Sequence, residues 1–506
     1  MIRCKILGTV IVLMNRSDFG LPQSGGMCVF YELYIRSFCD GNGDGIGDLV
    51  GAEQKLDYLA GLGIEGIWLL PILQSPAYHG YSVTDFFSIN PIYGNLKELR
   101  SFLASAHRRD LKVILDLPIN HTSPGHEWFL RALDGERPYR DWYLFLQNED
   151  WLKARRHWDG EKVWTNYSGQ WAYTLFGPGS PDLNYESTSL WQQMKEVLTF
   201  WLSVGFDGFR FDAAKHIFDF SIEKGICEYQ HSRNIAFWKE MTSHCRSISP
   251  DSIFVSEVWD DARIVDLYSA IFGIGFNFPL AEDLKSAIAK KDPELLVVSL
   301  KTDLNRCFRA KRSYESGLFL TNHDMSRLVS SMNGDRELSL LSMSVLLSLP
   351  GVPFFYYGEE LGMEGVYNMY FNEEQLEPFL WYENGYGPGQ TEWKALGKNH
   401  PHSGVSYEAQ EAVDDSYYMR FRAILEFRKS NPWLRFATIK SVKRKETLIM
   451  LKVAGESKSA NILHNLGTKK IAVDLNADVQ VINGTVSKYR NKRYLGALAS
   501  AMEVTE

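Results

Sequence analysis

Gly208-Phe209-Arg210-Phe211-Asp212-Ala213-Ala214-Lys215-His216 is a short β-type run that stops on an acid, and the same design recurs along the chain. Residues 29–34, 66–70, 112–116, 208–212, 252–257, 272–278, 317–321 and 351–357 are all apolar runs with polar ends, interleaved with helical stretches such as 190–203 and 336–349. Strand and helix signals in alternation read as parallel strands with crossover helices. Eight such units predict an α/β fold, a closed (β/α)8 TIM barrel. The rhythm breaks once, over 118–186, where many Trp, Tyr, Gly and Pro residues read as a subdomain inserted after the third strand. Past the helix at 417–429, alternating segments such as 448–453 and 470–475 predict a C-terminal antiparallel β-sandwich domain. The expected organisation is a leader or signal-like segment (1–27), the first part of the barrel (28–117), the insertion (118–186), the rest of the barrel (187–431) and the β domain (432–506).

Composition narrows the function. The 506 residues are 45% hydrophobic and 23% charged, enough for a large core, and 54 basic against 62 acidic residues give a net charge of −8. An acidic chain is not drawn to phosphate backbones, so nucleic acid is excluded as a partner. The aromatic content of 13% exceeds what a core requires, so some rings line a surface. Cys4, Cys28, Cys39, Cys227, Cys245 and Cys307 lie far apart without CxxC spacing and read as free thiols rather than a zinc site or disulfide framework. No apolar run reaches the length of a membrane-spanning helix. Arg3 and Lys5 ahead of apolar residues 6–14 have the shape of a short signal peptide, but no small-x-small cleavage site follows, so a cytoplasmic and an exported protein both stay open.

In such a barrel the chemistry sits where strands end. Asp116, Asp212, Glu257 and Asp324 end or follow the third, fourth, fifth and seventh runs, which places four acids on one rim. Arg210 and Asp212 are two apart on a strand, so both face the barrel interior. A guanidinium at that distance favours a charged carboxylate, and Asp212 reads as an anionic nucleophile. Glu257 lies between Ile253-Phe254-Val255 and Val258-Trp259, an apolar setting that raises a carboxyl pKa and suits a proton donor. Two carboxyl groups in opposite protonation states are what glycosidic cleavage requires. His121 and His323, both after strand ends, read as groups gripping sugar hydroxyls, and Tyr78, His79 and Tyr81 as a stacking platform for a pyranose. Asp40, Asn42, Asp44 and Asp48, with the carbonyl of Ile46, match positions one, three, five, nine and seven of a calcium loop. Gly51 stands where the twelfth-position glutamate would be, so the loop reads as a structural Ca²⁺ site rather than a sensor.

Together these residues resemble the α-amylase family, glycoside hydrolase family 13. The resemblance rests on Asp116-Leu-Pro-Ile-Asn-His121, Pro181-Asp-Leu-Asn184, Gly208 to His216, Ser256-Glu-Val-Trp259 and Thr321-Asn-His-Asp324, in that order, and covers roughly 28–432. The glycine-rich loop looks like that of bacterial members between the oligo-1,6-glucosidases and the neopullulanases. The resemblance implies Asp212 as nucleophile, Glu257 as acid/base and Asp324 as transition-state stabiliser in retaining hydrolysis of α-1,4 bonds of starch, glycogen or maltooligosaccharides. It implies that His79, Tyr81, His121, Arg210 and His323 surround the cleaved glucose, with Lys215 and His216 just beyond. It also implies a second calcium at Asn120, Asp182 and the carbonyl of His216, and the chain is expected to act as a monomer. An α-glucosidase, an oligo-1,6-glucosidase or a glucanotransferase on the same scaffold stays open, as does a non-catalytic carbohydrate-binding or transporter-associated scaffold, although that last reading predicts degraded acids and a spanning helix. Ser256 where the family carries Gly, and Phe211 where it carries a smaller aliphatic, predict a slightly more crowded site.

Overall fold

The computed structural model describes residues 29–310, 314–368, 373–475, 479–489 and 492–505. The leader segment, Cys4, Cys28 and the side chain of Cys307 lie outside that description. Eight parallel strands close a barrel: β1 (Phe30–Leu33), β2 (Gly66–Leu69), β3 (Lys112–Leu117), β4 (Gly208–Phe211), β5 (Ile253–Ser256), β6 (Gly273–Phe276), β7 (Glu315–Leu318) and β8 (Val352–Tyr356), with β8 pairing back to β1. Side chains fill the interior. Phe30 stacks on Phe354 at 4.9 Å, and Phe354 also meets Phe276 edge-on. Gly208 opens β4 with φ +153°, and a Cβ there would lie 1.8 Å from the Ile253 carbonyl oxygen, so no other residue fits that start.

Six strand readings hold to within one residue at each end, and two shift by two residues or more. The 272–278 run is a strand only over Gly273–Phe276, because Gly273 caps one helix (Ala262–Phe272) and Asn277 caps the next (Phe278–Ala289). The strand expected at 317–321 begins two residues earlier and ends at Leu318, in register with β6 through Ile274 opposite Glu315.

Between β3 and the helix Thr188–Val204 the chain forms a short helix, Glu127–Leu133, and a hairpin of Trp164–Tyr167 with Gln170–Tyr173. A small core of its own, including Leu144, Trp151, Val163, Trp164 and Tyr173, also takes in Phe220 and Cys227 from the loop after β4. The C-terminal part is a five-stranded antiparallel sheet running from Thr438–Lys445 to Ala499–Thr505, and a three-stranded one of Ile471–Val473, Val486–Tyr489 and Lys492–Leu495. Leu448, Leu463 and Ala501 of the larger sheet cluster with Leu495 of the smaller. The described cysteines, Cys39, Cys227 and Cys245, are free and buried, as their spacing implies. Among the described residues no helix is long and apolar enough to cross a membrane.

Arg435, just ahead of the C-terminal sheet, reaches back to the foot of the barrel. Its Nε and Nη2 donate to both oxygens of Glu315 in β7 at 2.6 and 2.9 Å, with both side chains almost fully buried. Removing one partner of a buried pair strands the other charge. Glu315→Ala is expected to lose about 3–5 kcal/mol of stability, read as a lower urea midpoint, and an unchanged midpoint would show that the pair does not hold the two parts together.

Candidate active site

Arg210 lies on the barrel axis, fully buried. Its Nη1 donates to Asp116 Oδ1 at 2.9 Å and to Asp212 Oδ1 at 2.6 Å, while Nη2 stands 3.9 Å from Glu257 Oε2. Three carboxyls from three adjacent strands thus meet one guanidinium. The pairing register explains this: Asp116 faces Arg210 across β3 and β4, and Ser256 faces Phe211 across β4 and β5, so Asp212 and Glu257 leave the rim together. Phe211 points the other way, into Trp238 (4.6 Å) and Phe272 (5.7 Å) of the helix layer, so it does not crowd the mouth. Ser256 turns its hydroxyl toward the Ile274 carbonyl of β6.

Ala213 takes a left-handed backbone, φ 47° and ψ 39°, and its N–H donates to Glu257 Oε2 at 2.6 Å. A non-glycine residue in that conformation is strained, by roughly 1–3 kcal/mol. The strain turns the chain so that the residue after Asp212 holds the Glu257 carboxylate. Burial raises Glu257 above the usual carboxyl range against the opposing pull of Arg210, with the Asp212 charge adding to the rise. Burial also lifts Asp116 to about 7, again against Arg210.

Three rings stack along one side. His79 lies 5.9 Å from Tyr81, and Tyr81 lies 5.5 Å from His323 at 12°. The Tyr81 hydroxyl donates to Asp116 Oδ2 at 2.9 Å and sits 2.7 Å from His323 Nε2. Burial pulls His79 down to about 4 and lowers His121 as well, so both face the mouth as neutral rings. Burial opposes charge on His323 too, but the Asp324 and Glu32 carboxylates outweigh it and raise His323 to about 9. Asp324, half-exposed, holds Oδ2 3.2 Å from His323 Nε2.

Residues 32–437 match the family model for the α-amylase catalytic domain. The chain belongs to the α-amylase family. It is 39% identical over 447 residues to a 4-alpha-glucanotransferase of Thermotoga neapolitana, covering 88% of this chain and 97% of that protein. It is 34% identical over 454 residues to alpha-amylase 3 of Dictyoglomus thermophilum, covering 89% of this chain and 87% of that one. The crystal structure of an alpha-amylase from H. orenii superposes with a TM-score of 0.86 at 33% identity, over 94% of this chain and 99% of that chain. The protein is therefore an α-glucan-acting enzyme of the glycosidase type.

Within that α-amylase fold, not every residue read from the sequence bonds to the acids around Arg210. Lys215 Nζ donates to the Trp259 carbonyl at 2.6 Å and lies 3.1 Å from Asp260 Oδ2, tying the loop after β4 to the loop after β5. His216 Nδ1 pairs with Asp219 Oδ2 at 3.1 Å, and its carbonyl accepts from Asn120 Nδ2 at 2.7 Å. Asp182 bridges to His121 through the backbone and accepts from Leu175 N–H, but its buried Oδ1 has no hydrogen-bond partner. In the 40–48 loop, Asp40 accepts N–H bonds from Asn42, Gly43 and Gly45, and Asp48 from Gly41, Asn42 and Gly51. Asn42 and Asp44 make the same local turns, each accepting from the N–H two residues on.

Three residues of the site were missed by the sequence reading. Trp68 Nε1 donates to Asp116 Oδ2 at 3.0 Å, Gln375 Nε2 donates to the His323 carbonyl at 3.2 Å, and Glu32 takes His323 Nδ1 at 2.6 Å. Only Glu32 left a signal, a charge in the middle of the apolar run 29–34. Arg210→Lys keeps the charge and loses the fork that reaches three acids. It is expected to lower kcat/KM on maltoheptaose by about 100-fold or more with an unchanged circular dichroism spectrum, and activity within a few-fold of wild type would remove Arg210 from the centre of the site.

Proposed function

We propose that the enzyme cleaves α-1,4-glucosidic bonds with retention of configuration. Asp212 attacks the anomeric carbon while Glu257 gives its proton to the departing glycosidic oxygen, so the C1–O bond breaks as an ester to Asp212 forms. Glu257 then takes a proton from the incoming hydroxyl, which displaces Asp212. Asp324 stabilises the flattened, positively charged transition state, while His323, His121 and His79 hold hydroxyls of the same glucose. The observation that carries this reading is the pairing of Asp212 and Glu257 on one guanidinium, with the raised Glu257 placed by the N–H that follows Asp212.

The incoming hydroxyl belongs to water in hydrolysis and to a sugar in glucan transfer. A specific feature supports transfer as the second reading. Trp259, 49% exposed, stacks on Phe278 at 4.7 Å and 16°, and Trp158, equally exposed, lies against Phe176 and His216. Open ring faces beyond the acid hold an acceptor sugar better than they hold water. The relative named a 4-alpha-glucanotransferase supports the same reading. On maltoheptaose, fresh products seen by NMR are expected as α-anomers; initial β-anomers, or no α-1,4 cleavage, refute the mechanism. Chains longer than the substrate register transfer, mixed short ones hydrolysis, and glucose alone an exo-acting glucosidase. Asp212→Asn and Glu257→Gln should each lower kcat by about 1,000-fold or more. Trp259→Ala should lower the ratio of transfer to hydrolysis roughly 2- to 10-fold.

We also propose that the protein binds Ca²⁺ through the side-chain oxygens of Asp40, Asn42, Asp44 and Asp48 and the Ile46 carbonyl, and acts as a monomer. The donor set fits, being entirely hard oxygen. Among the described residues no three acidic, His or Cys side chains converge on one point, so Asp40, Asp44 and Asp48 would have to turn toward one another to hold the ion, with amide, carbonyl and water oxygen completing the shell. At the second position the orphaned Asp182 Oδ1 fits an ion, which Asn120 Oδ1 would join by leaving His121 Nδ1 at 3.2 Å and the His216 carbonyl by releasing Asn120 Nδ2. Calcium in such loops supplies structural cross-linking. Chelation by EGTA is expected to lower the melting temperature and added Ca²⁺ to restore it, by about 2.7 kcal/mol at a hundredfold excess over Kd; an unmoved melting curve removes the calcium.

A further inference from the structure

We propose that Glu32 is a positioning residue for this reaction, clamping His323 from inside the barrel so that the ring presents Nε2–H to the mouth. The proposal deepens the reading above, since it concerns the histidine assigned there to the glucose ring. Glu32 lies in β1, 1% exposed, among aromatic and aliphatic neighbours. A carboxyl buried there requires a partner. Its Oε1 takes two bonds from one residue, from His323 Nδ1 at 2.6 Å and from the His323 backbone N–H at 3.2 Å. Gln375 holds the His323 carbonyl from the opposite side.

The surroundings fix both ring nitrogens. Nε2 stands between the Tyr81 hydroxyl, whose own proton goes to Asp116, and the Asp324 carboxylate, which only accepts. Nε2 therefore carries a hydrogen. Nδ1 faces the Glu32 carboxylate at a distance that needs a proton within the bond. Burial raises Glu32 too, but the second bond to the same Oε1, from the backbone N–H, favours the charged carboxylate, which leaves the ring an imidazolium against Glu32. The other charged or titratable groups around the pair are His79 and Tyr81 after β2, Asp116 on β3, Arg210 and Asp212 from β4, Glu257 after β5, and Glu359 after β8 beside Glu32. Arg210 lowers His323, so the lift to about 9 depends on Asp324 and Glu32. Asp324 is half-exposed and open to solvent screening, whereas Glu32 is not.

Glu32→Gln keeps the size of the side chain and an oxygen for the backbone N–H, but not the charge at Nδ1. The test uses the full chain with ¹³C-labelled histidine, its His323 resonance assigned through His323→Gln, and kcat/KM on maltoheptaose across pH. Wild-type His323 is expected to titrate far above the ordinary value of about 6.5. In Glu32→Gln, the His323 titration should fall by about one pH unit or more and kcat/KM should fall at every pH, and Glu32→Asp should recover part of both. A wild-type His323 titrating near 6.5, a Glu32→Gln variant whose histidine titration does not move, or one in which it moves with kcat/KM unchanged overturns the proposal. The wild-type titration decides even where Glu32→Gln does not fold. Wild-type enzyme inert on maltoheptaose would refute the function proposed above, and the NMR titrations would still decide the clamp.

Discussion

A guanidinium buried on a barrel axis is expensive unless carboxylates surround it, and carboxylates gathered at one rim repel each other unless a cation stands among them. Arg210 resolves both problems at once. Its bonds to Asp116 and Asp212 and its approach to Glu257 hold three acids from three strands together. The compensation is incomplete, since burial still lifts Asp116 to about 7 and raises Glu257. That residue of uncompensated charge is useful. An acid that keeps its proton beside an acid bonded to a guanidinium is the asymmetry that glycosidic cleavage needs.

The arrangement is rigid because its supports lie in the fold and not in the loops. Tyr81 and Trp68 both donate to Asp116 Oδ2, while Arg210 takes Oδ1, so this acid is saturated and serves as an anchor. Asp212, by contrast, accepts from Arg210 through Oδ1, and among the described residues no other hydrogen bond reaches its carboxylate. The strained turn at Ala213 works in the same direction, fixing Glu257 before any substrate arrives. Positioning of this kind is settled on folding and does not have to be repeated at each turnover.

The barrel was legible because each of its strands is a separate apolar run, and the Arg210 and Asp212 pair because period-two geometry applies to any strand. Strand ends were less so, since Gly273 and Asn277 act as helix caps and only packing shows where the ladder stops. Phe211 shows the converse: its alternation with Arg210 already placed it on the outer face, and the expected crowding of the site overlooked this. The bonds of Lys215 were not legible in its motif, because its partners, the Trp259 carbonyl and Asp260, are 44 and 45 residues away along the chain. Glu32 is the most instructive case. Its partner is 291 residues distant, and a lone acid in an apolar run reads as an irregularity until the closure of β1 against β8 brings the loop after β7 over it.

The same geometry explains how one catalytic core can serve relatives with different names. Both water and a sugar hydroxyl would meet the same ester on Asp212 and surrender a proton to the same Glu257, so nothing among the three acids distinguishes them. A tenfold change in their ratio requires only about 1.4 kcal/mol, which is within the reach of one or two ring faces at the rim. On the mechanism proposed above, changing the core by that amount would slow both outcomes equally, because each would pass through the same glucosyl ester. On that mechanism, preference for an acceptor would be carried by groups that leave the acids untouched, such as the one proposed above, Trp259, which lies two residues past Glu257 with its carbonyl tied to Lys215.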